Sequence, residues 1–326
     1  MKTTSVRLLT LALFAVGAVA VNADQDIITK TFPVKAGGKL SLNVERGSVH
    51  ITTSSSDKVD VKITRELKRG STAEMKAVLE KHKIELSSTE NEVKIEAQNP
   101  QKLFDFNNPL NRLQVDYTIS IPAKFDVDIK TAGGNIEVAD LEGKAVVHTS
   151  GGNLKLGSIN GPIKANTSGG NITVTKCEGD AEVNTSGGEL NLGEIKGNLV
   201  AHTSGGGITL EKTKGSVKAN TSGGNIRVKD AYGPVTAHTS GGNVSAQLNT
   251  QPTGDCSLKT SGGNVDVLLA ANLALDVNAH TTGGRVKSDF PGTLNKSKTK
   301  LTAQINGGGP DLVLETTGGN INIKSK

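Results

Sequence analysis

Thr167-Ser168-Gly169-Gly170-Asn171 recurs in near-copies from Thr131 to Asn320. The first Thr of each copy falls at 131, 149, 167, 185, 203, 221 and 239, a strict 18-residue step, and then at 260, 281 and 316. A unit of this size cannot bury a face of its own, so ten copies imply stacking into one continuous core.

The unit from Gly161 to Asp180 shows how one rung is built. Ile163, Ala165 and Thr167 alternate with Lys164, Asn166 and Ser168, and beyond Gly169-Gly170 the alternation resumes with Ile172 and Val174. A period of two on each side of a glycine pair predicts two short strands meeting at a corner. The glycine pair is expected to supply positive φ at that corner. Gly143, Gly161, Gly179, Gly197, Gly215 and Gly233 mark a second corner, followed twice by proline, at Pro162 and Pro234.

Inward columns are thin. Val147, Ala165, Val183, Ala201, Ala219 and Ala237 form one, and Ile136, Leu154, Ile172, Leu190, Ile208 and Ile226 another. A narrow solenoid with parallel rungs needs only such side chains, which explains a core in a chain with 2% aromatic residues and no Trp. The corner Thr column, including Thr149, Thr167, Thr185 and Thr221, shares the inward parity and is expected to bond hydroxyl to hydroxyl or to turn backbone. Asn135, Asn153, Asn171, Asn225, Asn243 and Asn264 are expected to form an amide ladder. Both columns read as structural.

Upstream, Met1 to Ala23 has a basic start, an apolar run and a small-residue cleavage signature, the pattern of a secretory signal peptide. Its apolar run is shorter than a membrane span, so no span is expected after cleavage. Residues 24–130 read as a strand-rich lead-in and cap. Ser71-Thr72-Ala73-Glu74 has capping-box spacing, with Met75, Val78, Leu79 and His82 on one face of a short helix. His82 reads as a packed or surface histidine rather than a ligand. Leu42 to Ile51 looks like a degenerate first rung. Residues 131–326 carry the repeats, with an irregular insertion at about 290–311. The expected fold is all-β: a parallel β-solenoid of about ten rungs, roughly 50 Å long, behind a cap with one helix.

Function is less legible. Removal of Lys2 and Arg7 lowers the formal charge from +5 to +3, spread along the chain, and aromatic stacking surfaces are nearly absent. Nucleic acid is therefore not an expected partner. Cys177 and Cys256 occupy mostly apolar repeat positions several rungs apart and read as buried free thiols. His148, His202, His238 and His280 share one outward position but never occur on adjacent rungs, which leaves the nearest pair about 10 Å apart, too far to share a metal. The turns lack the Asp pattern of calcium-binding β-rolls. An ice-binding Thr grid is missing, and the Asn-Thr-Ser triplets at Asn166, Asn184 and Asn220 follow from the repeat itself. The acids are scattered and no nucleophile elbow, zinc helix or phosphate loop appears, so neither an enzyme nor a cofactor is expected.

The lead-in order of strand, short helix and strand over Val59 to Ala97, the run Val115-Asp116-Tyr117-Thr118-Ile119-Ser120-Ile121-Pro122 and the Gly170-Asn171-Ile172 turns carry a family resemblance. The chain resembles a bacterial family of exported β-strand-repeat domains of unknown function, often labelled adhesins. That resemblance implies a β-solenoid in the cell envelope, with adhesion inferred for the family. The leading reading is a noncatalytic binding module, exported to the periplasm, the outer envelope surface or beyond the cell, using a long polar face against an envelope polymer or protein. A structural or envelope-stress role without a ligand, and a carbohydrate-active enzyme, are the alternatives.

Overall fold

The computed structural model describes residues 25–68, 72–98 and 109–326. The expected signal peptide lies outside them. Strands that precede each Thr corner, such as Ile163–Asn166, Ala181–Asn184 and Leu199–His202, line up in one sheet. Those that follow it, such as Ile172–Cys177, Leu190–Ile195 and Ile208–Thr213, form the other. Neighbours are parallel and in register at one repeat: Ala165 pairs with Val183, and Ile172 with Leu190. Equal positions therefore stack, and both predicted inward columns are buried between the sheets. The chain is an all-β parallel solenoid.

Among the described residues each sheet contains twelve parallel strands, two more than the motif count. The extra rungs come from the lead-in. Gly38–Val44 and Ser48–Ser54 form a rung in register with Phe125–Thr131 and Ile136–Val138, with Val44 at the corner position held by Thr131. On its other side stands a rung made by Glu92–Gln98 and Leu113–Pro122. The lead-in is thus part of the stack, and the two sheets run through residue 130 without a seam. Antiparallel strands Lys58–Leu67, Gln25–Pro33 and Lys83–Ser88 close this end, while the helix Thr72–Lys81 buries Met75 and Val78.

Chain order and stacking order part company at both ends. The rung Gly38–Ser54 is held between two rungs that come later in sequence. At the far end the chain leaves Val265–Leu269, skips one level to build Leu275–Thr281 and Val286–Ser288, and folds Thr293–Leu294 and Lys300–Ile305 antiparallel. Asp311–Thr316 and Ile321–Ser325 then fill the skipped level, paired on both sides. The predicted insertion is this hairpin and the turn beyond it. Neither the first nor the last rung in sequence is therefore an outer rung of the stack.

The corner glycines work differently from expectation. Of the motif glycines only Gly134 has positive φ, at 118°. What the second glycine supplies is absence of Cβ: one added at Gly170 would lie 2.0 Å from the Gly152 carbonyl oxygen, and one at Gly188 2.0 Å from that of Gly170. Even the degenerate rung keeps this feature, since Gly47 sits under Gly134 and a Cβ at Gly134 would meet the Gly47 oxygen at 2.3 Å. The first glycine is under no such constraint at Gly169, whose nearest neighbours would be 3.8 Å away. Gly170→Ala is therefore expected to destabilise by several kcal/mol or prevent folding, as overpacking against backbone does. Gly169→Ala should be neutral or raise stability by up to about 1 kcal/mol. Thermal melts of the two variants check this, and equal loss in both would refute the steric account.

Candidate functional site

The glycine contact brings the Thr column within reach of the rung below. Thr149, Thr167, Thr185, Thr203, Thr221 and Thr239 are all buried. The Thr167 hydroxyl donates to the Gly152 carbonyl at 2.9 Å and accepts the N–H of its own rung's Gly170 at 3.4 Å. Thr185 does the same with Gly170 and Gly188. The pattern passes through the reordered end, where Thr316 donates to Gly263 and Thr281 to Gly319. Thr131, above the corner that lacks a Thr, donates to Gly47 and Gly133. The column is thus bonded to turn backbone, one of the two arrangements expected; hydroxyl-to-hydroxyl bonding is absent because each oxygen lies against a glycine carbonyl.

The Asn column departs from the expected amide-to-amide ladder. Each side-chain oxygen accepts a backbone N–H one rung on: Asn135 from Asn153, Asn153 from Asn171, and Asn171 from Glu189, each at 2.8 Å. Asn225 receives from Asn243, Asn243 from Asn264, and Asn264 from Asn320, each at 2.7 Å. Because the donor is main chain, the receiving residue need not be Asn, and Glu189 serves.

A second such column, at the other corner, escaped the sequence reading. Asp126, Asp180 and Asn198 accept the N–H groups of Lys144, Asn198 and Ser216 at 2.7–3.0 Å. Where the next rung carries Pro162 or Pro234, which has no N–H, the position below is Lys144 or Ser216. The shared 18-residue spacing was the available signal, hidden among acids that looked scattered.

Thr185→Val would strand a buried carbonyl and a buried N–H and is expected to lose about 1–3 kcal/mol. Asn171→Leu exposes its N–H donor to water and should lose about 1 kcal/mol or less. Denaturant midpoints measure the order, and a larger loss at Asn171 would contradict it.

Cys177 and Cys256 are free and buried. They belong to the Thr167 and Thr260 rungs, five steps or about 24 Å apart by rung spacing, far outside disulfide reach. The Cys177 thiol points at the carbonyls of Gly161 and Gly179, and burial raises the pKa of both thiols.

The outward face of the strands before the corner carries one aligned column: His148, Asn166, Asn184, His202, Asn220 and His238. Asn184 donates to the Asn166 side chain at 3.0 Å, and the exposed motif Ser residues run alongside. His280 is exposed at the equivalent position near the end. Among the described residues no group of three or more His, Cys, Asp or Glu converges as metal ligands would.

One polar cluster is internal. In the N-terminal cap the Arg65 guanidinium pairs with Asp26 at 2.6 Å and donates to the His82 carbonyl at 2.9 Å, all three residues being buried. The His82 Nδ1 and the Tyr117 hydroxyl have no hydrogen-bond partner. Burial, and then the charges of Arg65 and Arg46, push the His82 pKa down to about 4. A depressed histidine is neutral when folded but takes up a proton in the unfolded chain below about pH 6.5, so stability is full above that pH and falls as pH drops toward 4. The loss by pH 4 should be on the order of 2 kcal/mol, and His82→Leu should flatten that arm of the profile. An unchanged slope in urea titrations of that variant would remove His82 from the account.

The fold and its ladders define a class: a stacked-rung solenoid whose repeated polar residues serve mainly to bind rung to rung. The chain belongs to the Toastrack DUF4097 family, whose model matches residues 38–324. No curated protein matches it. Among solved structures it is similar to "a putative adhesin" from Bacteroides fragilis, at 14% identity and TM-score 0.34, covering 92% of this chain and 97% of that one. It is similar also to a "putative lipid binding protein" from Parabacteroides distasonis, at 12% identity and TM-score 0.33, with 91% and 97% covered. A "putative adhesin" from Parabacteroides merdae matches at 13% and 0.32, with 91% and 96% covered. Among the described residues no helix is long and apolar enough to cross a membrane.

Proposed function

We propose that the protein is a noncatalytic binding module, exported to the cell envelope or surface, that lies along an envelope polymer or protein. The observation that carries this reading is the His and Asn column from His148 to His238. It sets hydrogen-bonding groups at one rung spacing across six adjacent rungs, with exposed Ser beside them. A rigid row of weak contacts suits an extended ligand, because each further contact is made at high effective concentration once the first has formed. The basic start, apolar run and small-residue cleavage signature of Met1 to Ala23 support export.

The test is retention of the chain from Asp24 onward by fractionated cell envelope, compared with a His148→Ala/His202→Ala/His238→Ala variant. Retention by one polymer or protein is expected, with a loss of tenfold or more in a variant that melts like the parent. Absence of retention by a folded chain, or retention indifferent to the variant, would count against this face.

A further inference from the structure

The body of the solenoid and its C-terminal end differ in charge. Along the body, lysines face carboxylates one level away: Lys155 with Glu137, Lys164 with Glu182, Lys229 with Glu211 and Lys259 with Glu315. At the C-terminal end the stretch from Arg285 to Lys300 holds five cations, Arg285, Lys287, Lys296, Lys298 and Lys300, against one carboxylate. That carboxylate, Asp289, accepts the N–H of Ser325.

A cleft lined by both polar and apolar groups opens among these cations. Val286, Phe290, Pro291, Leu294 and Leu301 line a space of about 450 Å³, rimmed by Arg285, Lys287 and Lys298. Leu294 is 40% exposed, and only one other large apolar side chain among the described residues is exposed to that degree. The cationic loop is held in shape. Asn295 accepts the N–H groups of Thr299 and Lys300, Lys298 takes a left-handed φ of 57°, and the Lys298 carbonyl accepts the Val286 N–H at 2.8 Å.

We propose that this tip docks end-on against an anionic lipid surface, with Leu294 and the cleft entering the headgroup boundary while the surrounding cations meet lipid phosphates. Charge alone would suit any polyanion; exposed Leu294 and Pro291 within the ring of cations favour a partner that is both anionic and apolar. This deepens the envelope-binding reading and rests on it for location. The two fail separately: retention on an envelope polymer without vesicle binding leaves that reading standing and removes this one.

The experiment is flotation of the chain from Asp24 onward with vesicles of phosphatidylcholine, alone or mixed with phosphatidylglycerol. Binding is expected only to the mixed vesicles, weakening with salt. Arg285→Gln/Lys287→Gln/Lys298→Gln should lower partitioning about 100-fold, at about fivefold per cation. Leu294→Ser should lower it roughly fivefold, and both variants should melt like the parent. Equal flotation on neutral vesicles, or no effect of the charge variant, would overturn the proposal. Displacement by inorganic phosphate would also overturn it, since that marks a free-anion site. So would heparin binding of equal strength that ignores Leu294→Ser, which marks a polymer site.

Discussion

Everything in this molecule depends on how closely one rung can approach the next at the Thr corner. The second glycine of each motif lies over the carbonyl of the glycine below, with no room for a Cβ. That approach lets a buried Thr hydroxyl reach across and donate to the same carbonyl, and aligns the Asn side chain with the next N–H. Take away the contact and both polar columns lose their partners together. The corner is therefore a single cooperative device, and its repetition explains how so narrow a core holds with few aromatic rings.

Repetition alone leaves a stack with two raw ends. In this chain antiparallel strands lie over most of those ends, and rungs are placed out of sequence order, so that Gly38–Ser54 and Asp311–Ser325 each lie between two neighbours. Contacts far apart in sequence then lock the ends, whereas the middle is held by neighbours 18 residues away. In a nearly one-dimensional protein, where each rung leans only on the next, such locking keeps local opening from starting at a terminus.

Surface charge follows the same division between body and ends. Between rungs, opposite charges sit one level apart, where they stabilise weakly and leave little net field. At the C-terminal tip the hairpin has no next rung, so its cations meet no carboxylate column. The row of His and Asn and the cationic tip are consequently distinct surfaces, one made by repetition and one by its interruption.

The 18-residue step determined the parallel rungs, the two sheets, the identity of both inward columns and the structural character of the Thr and Asn columns. These are local in repeat space: each residue's neighbour is its own counterpart one unit away, so spacing alone specifies contact. The role of the glycines was misread because a sequence shows that a Cβ is absent, not whether torsion or crowding demands it. Asp126, Asp180 and Asn198 went unnoticed as N–H acceptors for a related reason: their partners are backbone groups, which leave no letter in the sequence. The out-of-order rungs, the buried setting of Arg65, Asp26 and His82, and the gathering of Leu294 with the tip cations were decided only by tertiary structure. Each joins segments with no common period, and there the pairing is set by which exposed edge remains to be filled.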